Sequence, residues 1–351
     1  MRYHKYTGVL SDEDILEAVH NGTIYIAPFD RSQLQPAGYN LTPTRFFYST
    51  KKKRFLNIIE NSDEVYVMVD RNDTVLVRTR ESVAISSLLS GAFYSKVKVV
   101  SEGFGHVSTT LDPNWQGQLL ISLNNPTNRK LKFSIEKNVY GKKIYNSFVT
   151  VEFMGLASSP VKYSDNPPGR LDILDHTVEQ NISIFRRKEV EELRKLLKQL
   201  HTCEDRTINS FLIDRLNPEE QKVWGEIYSI EDNKEFEEQS NAFLNEKKKK
   251  YLRFLQEDFY ENAVKSIEII NQYIERKQKY VPTRKKLMAF VMRHLYRSIG
   301  VILAGILGVV LVVLYVVGQN SETIWIVYSA LSGCILYIFF PIVQALFLKQ
   351  D

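Results

Sequence analysis

The chain has 351 residues, 44% of them hydrophobic, enough for a core and for more than one structural unit. Its formal net charge of +5 is spread unevenly, and its only two cysteines, Cys203 and Cys334, lie far apart. With six scattered histidines and no Cys/His pair at ligand spacing, a structural zinc site and a disulfide framework are excluded as organising features, and no protein metal site is expected.

The opening residues MRYHKYTGVLSDEDIL lack the apolar core of a signal peptide, so this part of the chain is expected to stay in the cytoplasm. Ser11, with Asp14 three residues on, has capping-box spacing. Ile15, Leu16 and Val19 give the helix an apolar face, and Asn21-Gly22 ends it. Strand-like runs follow at 23–27, 45–48, 65–69, 75–79, 97–100, 118–124, 130–135 and 148–153, punctuated by Gly, Pro, Asn and Asp. That spacing predicts a sandwich or barrel rather than βαβ units. Asp112-Pro113-Asn114 has the composition of a β-turn, and Leu119, Ile121 and Leu123 then alternate as one buried strand face. Read locally, Asp112 serves either the turn or chemistry.

From about residue 177 to 280 the sequence becomes charged and helical. Val190, Leu193, Leu197 and Leu200, then Leu252, Leu255, Phe259, Ala263 and Ile270, form stripes that predict a coiled-coil-like stalk. The run Lys247–Lys250 reads as a solvated face, so no nucleic-acid partner is expected. Beyond a basic segment, residues 300–317 and 323–348 carry no charge, and each is long enough to cross a bilayer. The flanking cations predict a two-span membrane protein with both termini cytoplasmic, a lipid bilayer as partner, and a place in a bacterial inner membrane. The expected organisation is a mainly β domain over 1–175, a helical stalk over 176–281, a basic juxtamembrane helix over 282–298 and a transmembrane hairpin over 299–348.

The run LSDEDILEAVHNGTIYIAPFDRSQLQPAGYNL, residues 10–41, resembles the N-terminus of dCTP deaminases, in the dUTPase-like superfamily. There a capped helix, a G-x-I strand, a P-F pair and a Q-P-A-S-Y-D-L element occur in this order. Ser86-Ser87-Leu88 resembles the family's R-S-S-L, and the run from Leu111 to Gly117 resembles its I-D-P-G-W-x-G hairpin, followed by a strand ending in Asn125. The resemblance covers roughly residues 8–165. It implies a dUTPase-like β-barrel or sandwich, a homotrimer, a deoxynucleotide ligand at sites shared between subunits, and Mg²⁺ carried with the nucleotide.

The resemblance also implies site residues. Ser86, Ser87, Asp112, Trp115, Asn125 and Arg170 are the nucleotide-binding candidates, and Asp112 is the candidate for catalysis. The family's general base, a Glu in the strand after the hairpin, falls on Ser122, whose hydroxyl cannot take a proton from water unaided. The two arginines around R-S-S-L fall on Ile85 and Ser90, and the Asp and Ser of S-Y-D-L on Asn40 and Gly38. Glu102 and Glu136 are the alternative carboxylates. Three readings follow. One is a nucleotide-responsive sensor or membrane effector with a degenerate site, whose architecture resembles that of antiphage effectors. The second is a membrane-tethered dCTP deaminase or dUTP diphosphatase, and the third is a scaffold.

Overall fold

Ser11 and Asp14 close the capping box, with Ser11 Oγ accepting from Asp14 N at 3.2 Å and Asp14 Oδ2 accepting from Ser11 N at 3.0 Å. They do so in a computed structural model that describes residues 6–105, 109–158, 160, 168–179, 186–280 and 318. The helix they start is α1 (Asp12–His20). The strands are β1 (Gly8–Val9), β2 (Ile24–Ala27), β3 (Leu34–Gln35), β4 (Gly38–Leu41), β5 (Pro43–Ser49), β6 (Arg54–Phe55), β7 (Ile59–Glu60), β8 (Glu64–Val69), β9 (Asp73–Ile85), β10 (Leu89–Ser95), β11 (Thr110–Leu111), β12 (Gln116–Asn125), β13 (Leu131–Val139), β14 (Lys142–Tyr145) and β15 (Val149–Gly155).

These form three antiparallel sheets, ordered β11-β10-β15-β4-β3, β12-β9-β5-β6 and β14-β13-β8-β7, with β1 added to β15 and β2 to β9. Their inner faces share one core. Ile24, Phe47, Val67, Val77, Ile121, Phe133 and Val151 meet there, and Ile15 and Ala18 of α1 pack against them.

The run 97–100, expected as a strand, is a short helix, α2 (Val97–Ser101). Three valines suggest a pleated strand, but only Val99 is buried, and Val97 is 85% exposed. One inward residue in four fits a helical turn plugging the core better than an alternating face.

The charged C-terminal part supplies α3 (Leu171–Glu179), α4 (Arg187–Glu204), α5 (Ile208–Arg215), α6 (Pro218–Tyr228) and α7 (Asn233–Lys279). It is not an extended stalk. Leu193, Leu197 and Leu200 of α4 and Ile270 and Tyr273 of α7 pack on Phe46, Tyr48 and Phe55 of the β-domain. Phe211, Leu212, Leu255 and Phe259 pack on Tyr25, Ala27 and Ala84. β5 is therefore covered on both faces: Phe47 points into the barrel while Phe46 and Tyr48 point into the helices. The apolar stripes that suggest a coiled coil are spent on the outer surface of the sheet.

The described residues of the β-domain and of α3–α7 belong to one compact unit. The basic segment 282–298 and the apolar runs 300–317 and 323–348 lie outside the described residues. Among the described residues no helix is long and apolar enough to cross a membrane. The expected two-span membrane localisation is corrected on that finding.

Candidate functional site

Two of the expected motifs meet at one end of the β9–β12 ladder. Ile85 N donates to Trp115 O at 3.0 Å, Asn114 N to Ser86 O at 3.5 Å, and Leu89 N to Ser86 O at 3.2 Å. Ser86 Oγ accepts from Leu88 N at 3.3 Å, fixing the turn that carries Ser86 and Ser87. The neighbouring turn closes through Trp115 N on Asp112 O at 3.1 Å. Asn114 takes the left-handed conformation there, with φ 62°, where the family's motif has Gly. Asn tolerates that region better than most residues, so the turn survives the exchange. Half-buried Asp112 accepts from Thr110 Oγ1 at 3.4 Å, and Trp115 packs on the barrel core with Nε1 donating to Gly117 O at 3.2 Å. Ser86, Ser87, Asp112 and Trp115 thus form one cluster.

The remaining candidates lie elsewhere. Asn125 closes β12 ten residues beyond Trp115, about 30 Å away along the strand. It is fully buried, donates to the carbonyls of Val69, Asp70 and Arg129, and accepts from Thr127. Its bonding capacity is spent on that turn. Arg170, at φ 53°, is paired with Asp172 through two bonds of 3.1 and 2.9 Å. Glu102 caps the end of α2 near the far end of β12, where Gly105 bridges Asn124. Glu136 lies on β13 opposite Tyr145, 3.6 Å from Lys143 and 3.8 Å from Arg45. Neither carboxylate joins the Asp112 cluster.

Ser122 is the decisive position. Leu119, Ile121 and Leu123 of β12 enter the barrel core, while Leu120 packs with the helices. By the pleat, Ser122 stands on the helix-covered outer face with Leu120 and Gln118. Segment 168–170 and helices of the same chain pack on this face.

The same face holds a buried polar network invisible in the sequence. Arg78 on β9 is 1% exposed. Its Nε donates to Gln118 Oε1, its Nη1 to Gly169 O at 3.2 Å, and its Nη2 to Glu204 Oε1 at 2.7 Å. Burial pulls the Arg78 guanidinium down and the Glu204 carboxyl up from their ordinary values, and each charge opposes the other's shift. Gly169, at φ +60°, leaves the room: a Cβ there would stand 2.4 Å from Arg78 Nη2 and 2.8 Å from Glu204 Oε2. Gly169→Ala is therefore expected to destabilise the fold by about 2 kcal/mol, read as a lower denaturation midpoint. An unchanged midpoint would mean that the segment does not press on the pair.

A second tie joins the turn itself to the helices. Gln116, next to Trp115, accepts from the backbone N–H of Ile208 at the start of α5, at 2.8 Å. Ser82, Gln116 and Gly117 also line a water-sized cavity with Cys203, Glu204 and Ser266. Among the described residues, no group of three or more His, Cys, Asp or Glu is placed to hold a metal ion.

The dCTP deaminase-like family model matches residues 9–139, and this part of the chain is a dCTP deaminase-like domain. The dCTP deaminase of Pyrococcus horikoshii is 29% identical over 147 residues, covering 42% of this chain and 85% of the relative. The dUMP-forming dCTP deaminase of Corynebacterium kroppenstedtii is 26% identical over 145 residues, 37% of this chain and 78% of the relative. Among solved structures, the 2'-deoxycytidine 5'-triphosphate deaminase of Agrobacterium tumefaciens aligns at 16% identity with a TM-score of 0.33, over 42% of this chain and about half (49%) of that one. A staphylococcal phage 80alpha dUTPase aligns at 14% identity with a TM-score of 0.26, over 41% of this chain and 96% of its own. Residues beyond the domain, with the helices that pack on the outer face of β5, fall outside the family match.

Proposed function

We propose that the protein binds a deoxynucleotide at the Ser86, Ser87, Asp112 and Trp115 cluster, does not turn it over, and passes the bound state to the helices. The observation that carries this reading is Ser122. The position where the family keeps its general base holds a hydroxyl on a face covered by the chain's own helices, and neither Glu102 nor Glu136 joins the turn cluster to replace it. Asp112 and Trp115 keep a turn suited to a sugar or base, and any Mg²⁺ arrives on the nucleotide phosphates rather than in a protein site. A homotrimer, implied by the family resemblance, belongs to the same proposal.

A sensor needs only a ligand that binds one of two states better. Two bonds link the ligand turn and its strand to the helices: Gln116 to the start of α5, and Arg78 to the end of α4. A nucleotide that moves the turn acts on the Gln116 bond directly and on the Arg78 bond through the pairing of β12 with β9.

Incubation of the full chain with dCTP and with dUTP, each with Mg²⁺, is expected to release neither ammonia nor pyrophosphate above the uncatalysed background. Ser122→Glu is expected not to restore release, because the new carboxylate meets helices rather than substrate. Release at an enzymatic rate of about 1 s⁻¹ or faster, by either protein, would reject the degenerate-site reading.

A further inference from the structure

At the end of β12 remote from Asp112, buried groups fasten three loops into one surface. Asn125 bonds the carbonyls of Val69 and Asp70 from one loop and of Arg129 from another, at 2.9–3.1 Å. Asp73, 1% exposed, accepts from Ser49 Oγ at 2.6 Å and from Lys51 N at 3.2 Å, holding the third loop. Asn72 N donates to Thr127 O at 3.2 Å, and Lys51 Nζ to Arg71 O at 3.0 Å. The strand order β12-β9-β5-β6 sets these loops side by side, at steps of about 4.8 Å.

The row so formed is cationic. Lys51, Lys53, Arg54, Arg71, Arg129 and Lys130 are all exposed, and none pairs with a carboxylate among the described residues; Asp70 is taken by Lys52. Like charges on free loops would spread apart, but these loops are pinned by Asn125 and Asp73. The result is a standing positive field over about 15 Å, which a single anion of several charges neutralises better than separate salt ions do. No large exposed aromatic side chain lies in these loops, so the row offers no platform for stacking bases.

We propose that this end of the β-domain binds a small polyphosphorylated anion, either free or as a phosphorylated headgroup, at a site separate from the Asp112 cluster. The full chain would be titrated at low salt with inorganic tripolyphosphate and with soluble inositol trisphosphate, and a random-sequence DNA duplex would serve as competitor. At least one phosphate probe is expected to bind, less tightly as salt rises, and the tighter of the two identifies the source. Arg129→Gln with Lys130→Gln is expected to weaken binding about tenfold at an unchanged denaturation midpoint, while Asp112→Ala leaves it unaltered. The proposal is overturned if neither probe binds or if the double variant binds as wild type. It is equally overturned if Asp112→Ala abolishes binding, which would place the phosphates at the nucleotide turn, or if the duplex displaces the probe at lower concentration, which would make the surface one for nucleic acid.

Discussion

Replacing Arg78 with alanine is expected to lower folding stability by about 3–5 kcal/mol, the cost of leaving one member of a buried ion pair uncompensated. The guanidinium is 1% exposed and serves three acceptors: Gln118, the Gly169 carbonyl and Glu204. Without it, the Glu204 carboxyl remains buried, 5% exposed, with no cation beside it in that network. Replacing both partners, as Arg78→Met with Glu204→Met, removes both charges and is expected to recover most of the loss. Urea unfolding of the two variants beside wild type separates these outcomes. A loss below about 1 kcal/mol for Arg78→Ala would match an exposed pair instead. Limited proteolysis adds a structural readout, since α4 is expected to be cut first once its end is no longer held on the sheet.

The second large effect depends on pH and on Glu81. Its carboxylate is 2% exposed, with Oε2 accepting from Thr42 N at 2.8 Å and Oε1 from Thr42 Oγ1 at 2.5 Å. Burial raises its pKa from 4.5 to about 7, against the lowering effect of the Thr42 bonds. Folding therefore favours the protonated form. This contribution to stability is complete below about pH 4.5, falls as the pH rises, and is lost above about pH 7. Over that window the stability of wild type relative to Glu81→Gln is expected to fall by about 3 kcal/mol. Denaturation of both proteins at about pH 4.5, 6 and 8 tests it. A difference independent of pH would mean that Glu81 titrates as an exposed carboxylate.

Some of this architecture is legible in the amino-acid order. Ser11 and Asp14 announce α1, because a cap is a local interaction between residues three apart. The alternation of Leu119, Ile121 and Leu123 announces the buried face of β12. What periodicity cannot supply is the identity of the surface that covers an apolar stripe. Leu193, Leu197 and Leu200 would read the same in a coiled coil as on Phe46 and Tyr48. The valines at 97–100 mislead for a related reason: strand preference reflects burial on a pleated face, and only Val99 is buried.

The candidate site divides in the same way. The turn holding Asp112 and Trp115 follows from a motif whose conformation is local, whereas its meeting with Ser86 is made by the pairing of β9 with β12. Asn125 occupies a motif position, yet its hydrogen bonds go to carbonyls of two loops, one of them more than fifty residues away. Arg78 and Glu204 are 126 positions apart, and no pattern in the chain ties them together. Glu81 carries no signal at all, because burial in the folded packing is what raises its titration.

Calorimetric titration of the full chain with dCTP, dUTP and dTTP in the presence of Mg²⁺ tests the proposed function most directly, with Asp112→Ala as the comparison. Saturable binding of at least one deoxynucleotide, weakened at least tenfold in Asp112→Ala while its unfolding midpoint stays near that of wild type, is the expected result. No saturable binding by the folded protein, or equal binding by the variant, would contradict nucleotide recognition at this turn.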